Sequence, residues 1–224
     1  MRIRTRDLTI TAVLAAICLL LGLTPIGYIQ IPPVAITLMC IPVIVGTITQ
    51  GLRTGLILGF VFGLTSFLTI FLRPTPFSQF MFNLSAWKTI IIVFAPRMII
   101  PITTWLVYNA IGGEMSPRTI DGADIKIIEK SKTRKNVATG VAAFVGSMTN
   151  TILFLGTLYL IFQPEVNEIS TAFGASPDTL FGVVATIGAI NGLPEAAVAV
   201  ILCIPIVYAI SKIKRRQRKQ PTES

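Results

Sequence analysis

Apolar residues run along this chain in long stretches, and polar residues collect in the gaps between them. Neither the two-residue alternation of a half-buried strand nor the one-sided stripe of a water-facing helix dominates. The stretches are apolar on every side, as expected of segments surrounded by lipid or by other apolar segments. A helix needs about 20 such residues to cross the hydrocarbon of a bilayer. On this basis the chain predicts membrane helices over 8–23, 34–49, 52–72, 87–111, 137–162 and 181–210. Pro32-Pro33 ends any helix before the second of these, because neither residue has a backbone N–H to donate. Only Gln50-Gly51 and Arg53 interrupt the run between the second and third, which makes those two antiparallel neighbours across a tight turn. The expected fold is all-α and integral to the membrane. It is a bundle of six transmembrane helices in a single membrane domain over 1–224, with residues 211–224 as a basic tail.

Composition supports this reading. The chain is 53% hydrophobic and 13% charged, whereas a soluble domain carries about a quarter charged residues. The net charge of +9 is gathered at the edges of the apolar runs. Arg2, Arg4 and Arg6 precede the first; Arg118, Lys126, Lys130, Lys132, Arg134 and Lys135 follow the fourth; Lys212, Lys214, Arg215, Arg216, Arg218 and Lys219 follow the last. Six crossings place all three groups on one side, and the positive-inside rule makes that side the cytoplasm, with both termini there. The segment 163–180 carries Glu165, Glu168 and Asp178 and no Lys or Arg, so it belongs outside. Arg73 and Lys88 are two basic exceptions on that side. Charge placed in this way fits membrane edges and not a nucleic-acid face. The basic start followed by an apolar run also resembles a secretory signal, but no small-residue cleavage site follows, so it is read as a retained helix.

The outer segments 24–33, 73–86 and 163–180 are longer than turns and partly apolar, with Tyr28 in the first and Phe77, Phe80, Phe82 and Asn83 in the second. Long connections of this kind suit the walls and lid of a pocket. Within the spans, ionisable side chains are costly and face the bundle interior or a cavity. Arg97 follows Pro96 in the fourth span, and Glu195 follows Pro194 in the sixth. Two readings are compatible: a structural Arg97–Glu195 pair, and an Arg97 whose planar fork receives an anionic substrate group. Asn150 in the fifth span and Asn191, one turn before Glu195, fall at similar depth and are candidate substrate contacts or an interhelical hydrogen bond. Gly55, Gly59 and Gly63 form a stripe suited to helix packing, and Ala12 and Ala16 form a second, open to a partner protein.

No phosphate-binding loop occurs, and with no histidine no Ser-His-Asp set or H-E-x-x-H motif is possible. Cys18, Cys40 and Cys203 lie within apolar runs without metal-ligand spacing and read as small hydrophobes. No enzyme activity, metal or cofactor is expected. A binding subunit or a small facilitator remains.

In order along the chain stand Ala12-x-x-x-Ala16, Thr24-Pro25-Ile26-Gly27-Tyr28-Ile29, Gly59-Phe60-Val61-Phe62-Gly63-Leu64-Thr65-Ser66 and Pro96-Arg97. They are followed by Gly146-Ser147-Met148-Thr149-Asn150-Thr151 and Asn191-Gly192-Leu193-Pro194-Glu195. With this set the chain resembles the substrate-binding S component of energy-coupling factor (ECF) vitamin transporters, most closely the pantothenate-type members. The resemblance implies a six-helix subunit of the cell membrane that binds a vitamin from outside and joins a membrane coupling protein and two cytoplasmic ATPases. It implies docking on the coupling protein through Ala12 and Ala16. It also places Tyr28, Asn83 and Lys88 near the cargo, and gives Arg97 or Lys88 the carboxylate of pantothenate. Riboflavin, folate or another precursor is the alternative cargo.

Overall fold

The computed structural model describes residues 5–31, 34–74, 76–112, 124–162 and 180–218. Helix α1 (Thr5–Leu23) leads through a 3-10 turn (Pro25–Gly27) into two short strands, β1 (Tyr28–Ile31) and β2 (Val34–Thr37). There follow α2 (Cys40–Gln50), α3 (Leu52–Leu72), a short α4 (Pro76–Leu84), α5 (Ala86–Gly112), α6 (Asp124–Ile161) and α7 (Leu180–Arg218). Among the described residues four segments are long and apolar enough to cross a membrane: Leu52–Leu72, Ala86–Gly112, Thr133–Ile161 and Ile190–Ile213. Leu8–Leu23 and Cys40–Gln50 are shorter apolar helices. Between 22% and 44% of each long span is buried inside the bundle, and the remainder exposes residues such as Ile57, Phe60, Leu160 and Ile201. An outer surface of this kind is stable against lipid and not against water.

One expectation needs correction. The bundle is helical as expected, but 34–49 is not one helix. Val34–Thr37 is a strand, antiparallel to Tyr28–Ile31 in the register Tyr28↔Thr37 to Ile31↔Val34, and the helix begins only at Cys40. The physical reason lies in the residues. Two four-residue runs rich in β-branched and aromatic side chains flank a two-residue gap, which is hairpin spacing. Pro32 and Pro33, expected to break the helix here, lie outside the described residues.

Helix α2 is the centre of the bundle. It packs on α1, α3, α5, α6 and α7, and Cys40 through Thr47 are all buried. A helix apolar on every side is stable only in such a position. Cys18, Cys40 and Cys203 are free thiols fully buried in this core, as expected of small hydrophobes. The turn into α3 is Gly51 alone, with φ 97° and ψ 175°, a conformation that side-chain-bearing residues avoid. Its N–H donates to Thr47 O at 3.0 Å, and Gly55 N–H donates to Gly51 O at 3.1 Å. The two helices therefore reverse direction without losing their terminal hydrogen bonds.

The glycine stripe of α3 faces α5, as predicted for packing. A Cβ on Gly59 would sit 2.5 Å from Arg97 O, one on Gly55 2.8 Å from Pro101 Cβ, and one on Gly63 2.8 Å from a Phe94 ring carbon. At opposite ends of the bundle an arginine donates to the last turn of a neighbouring helix. Arg73 donates to Leu23 O of α1, and Arg134 Nε to Ile111 O of α5 at 2.7 Å. Cations at helix C-termini complement the macrodipole. Arg73, an exception to the charge pattern, thus has a local structural role.

Candidate functional site

Proline creates the local geometry of the site. In α5, Pro96 cannot donate to the carbonyl one turn back, Ile92 O. Arg97 Nη1 donates to that oxygen instead, at 3.4 Å. Pro101 likewise leaves Arg97 O without its helical donor, and the bare Gly59 of α3 packs against it. The backbone of Arg97 is therefore held from one side and its side chain turned back along its own helix. The guanidinium lies between two rings, 5.2 Å from the Phe62 centroid and 5.0 Å from that of Phe154. Such cation–π contacts help to retain a charge away from water.

Beside this guanidinium lies a cavity of about 150 Å³. An apolar cavity of about this volume stays dry and admits benzene, but this one adds hydroxyls and a cation to a mainly apolar lining. Thr89, Val93 and Arg97 contribute from α5 at four-residue spacing, with Ile92. Ser66, Thr69 and Ile70 contribute from α3, Phe154 and Leu158 from α6, and Ser78 and Met81 from α4. Arg97 is the one charged residue of this lining among the described residues. Helix α4 forms the roof. Thr89 Oγ1 donates to Met81 O at 2.9 Å, and the Phe82 ring packs on Phe71 at 5.2 Å and Phe67 at 6.4 Å. Met81 packs in an apolar cluster with Ile92 and Phe162. A cation, several hydroxyls and branched apolar side chains around one small space suit a small polar anion with an aliphatic body.

The structure separates the predicted site residues. Arg97 lines the cavity. Lys88 is near the α4 end, its Nζ 5.3 Å from the Phe162 ring and 6.0 Å from that of Trp87. Asn83 is exposed on α4. Tyr28 pairs with Thr37 across the hairpin, and its side chain lies outside the described residues. Asn150 is buried on α6, and its Oδ1 has no hydrogen-bond partner among the described residues. Asn191 is half-buried on α7, next to Gly192, which packs on Met148 and Thr151 of α6. Glu195 is buried in a second polar cluster. It accepts from Thr37 Oγ1 at 2.5 Å and from Cys40 Sγ at 3.4 Å, and attracts Arg97 through space. It thereby fastens the hairpin and the start of α2 to the last helix. Ala12 and Ala16 are exposed on α1.

Ser66, Thr69, Ser78, Met81, Thr89 and Phe154 were not anticipated. One signal was available, the four-residue recurrence of Thr89, Val93 and Arg97 on a single helix face. Ser66 and Phe154 carry no such signal, because a hydroxyl or a ring in an apolar helix is commonplace.

Fold and cavity together define a multi-pass membrane protein with a small cavity inside its helix bundle. The sequence model for the ECF transporter substrate-specific component matches residues 6–207. The chain is also 31% identical to the pantothenic acid transporter PanT of Lactococcus lactis subsp. cremoris (strain MG1363), over 94% of this chain and 96% of that relative. It belongs to the family of ECF transporter substrate-specific components, and is a transport subunit.

Proposed function

We propose that this chain captures pantothenate at the outer face of the cell membrane and delivers it for import. The observation that carries the reading is the cavity, in which one guanidinium stands among hydroxyls and branched apolar side chains. Pantothenate has one carboxylate, hydroxyl groups, an amide and a dimethyl-bearing carbon, a matching set. Similarity to a pantothenic acid transporter supports the same cargo. The charge pattern supports six crossings with both termini in the cytoplasm, which turns the α4 end of the bundle outward. In this reading Arg97 binds the carboxylate. Lys88, Asn83 and Tyr28 border the approach, and Asn150, Asn191 and Glu195 stand on the α6 and α7 side. Energy comes from partners, a membrane coupling protein and two cytoplasmic ATPases, with docking through Ala12 and Ala16 on the open face of α1.

The test is direct. The purified chain in detergent is titrated with pantothenate, riboflavin, folate, thiamine, biotin, niacin and pyridoxine while fluorescence from Trp87 and Trp105 is followed. Saturable binding of pantothenate in preference to the others is the expected result. Binding of another vitamin instead would refute the cargo. Net uptake into liposomes by the chain alone would refute the capture-subunit reading.

A further inference from the structure

Among the described residues that line the cavity Arg97 is the charged one, while Lys88 stands outside the lining, near α4 and against the Phe162 ring. Along α5, Thr89 and Arg97 are eight residues apart, about 12 Å of helix rise. Thr89 bonds to α4 through Met81 O, so Arg97 lies at the end away from α4. Between them, on α3, is Ser66. It is 8% exposed, lines the cavity, and its Oγ has no hydrogen-bond partner among the described residues. Neighbouring hydroxyls are committed to backbone. Thr65 donates to Phe62 O at 2.9 Å, Thr69 to Ser66 O at 2.7 Å, and Thr89 to Ser85 O at 2.9 Å. Buried polar groups in native proteins find partners, and an exception calls for an explanation. A polar ligand group in the cavity supplies one.

Resting on the pantothenate reading, we propose a direction of binding. The ligand enters carboxylate first, with the carboxylate on Arg97, the secondary hydroxyl of its acyl half on Ser66 Oγ, and its hydroxymethyl end beneath α4 at Ser78 and Met81. Ser66 is then a specificity-determining residue for the acyl half. Ligands amidated at the carboxylate lose the contact with Arg97. Ligands altered at the hydroxymethyl end meet α4 instead.

The test is a set of dissociation constants for three ligands: pantothenate, its analogue with a primary alcohol in place of the carboxylate, and its analogue lacking the secondary hydroxyl. Wild-type protein is expected to bind the deoxy analogue about fivefold more weakly than pantothenate, the worth of one neutral hydrogen bond. Ser66→Ala and Ser66→Cys are expected to lose about the same factor for pantothenate and nothing further for the deoxy analogue. If the Ser66 effect disappears with the alcohol analogue instead, the ligand lies the other way round and the proposal is overturned. An equal Ser66 effect on all three ligands makes the residue structural and also overturns it. A wild-type protein that ignores pantothenate but binds another vitamin removes the cargo reading, and this inference with it.

Discussion

Arg97 on α5 and Glu195 on α7 are opposite charges inside one helix bundle, and they differ in what lies next to them. Glu195 is buried, and a hydroxyl and a thiol from the hairpin and α2 both donate to its Oε1. Arg97 is held by two rings and one carbonyl and opens on a cavity. A buried charge whose neighbours satisfy it ties elements together. A buried charge with space beside it can exchange its environment for a ligand. The difference between the two positions lies in the packing around them.

Three substitutions would break or sharpen this contrast. The largest effect is expected of Arg97→Met. It keeps the apolar stem and removes a charged hydrogen-bond donor worth about 2–3 kcal/mol, or about a hundredfold in pantothenate affinity. The thermal midpoint in detergent should change little, and an equal loss for the neutral alcohol analogue would show that Arg97 is only structural. Next is Glu195→Ala, which strips Thr37 and Cys40 of their acceptor. Removing a charge-assisted bond should lower stability by about 1.5–3 kcal/mol, read as a lower melting temperature. Ligand affinity in the folded fraction should shift by less than for Arg97→Met, and a hundredfold loss there would place Glu195 in the binding site. The smallest effect, and the sharpest, is Pro96→Ala. Returning an N–H to the helix stabilises it but takes Ile92 O away from Arg97. Melting temperature is expected to stay or rise while affinity falls about fivefold; both moving down together would dismiss the carbonyl as an anchor.

Much of the fold was legible because lipid imposes long apolar runs, and α3, α5, α6 and α7 follow from that alone. The turn at Gly51 was also readable, since only Gln50-Gly51 and Arg53 interrupt the apolar run there. The hairpin was missed because Val34, Ala35 and Ile36 are apolar enough to be taken as the start of a helix, although their β-branched character and their spacing from Tyr28 argued for a strand. In the site, Arg97 was legible as a costly charge at depth. Its neighbours were not. Ser66 and Thr69 look like tolerated hydroxyls in any membrane helix, and Phe154 looks like core. The partners of Glu195 are 158 and 155 residues away in the chain, a pairing set by tertiary packing that no local pattern encodes.

The shortness of α2 has a consequence for the membrane itself. Helices α2 and α3 turn at Gly51 and run back side by side, but α2 has 11 residues and α3 has 21. The longer helix therefore continues about 15 Å beyond the start of the shorter. A two-stranded ribbon pairs its strands only along their inner edges, so the outer edges, just before Cys40, need water or protein and not hydrocarbon as neighbours. That part of the crossing belongs to water or to protein. The hydrocarbon layer against the bundle is thus thinner on the hairpin side than along α3.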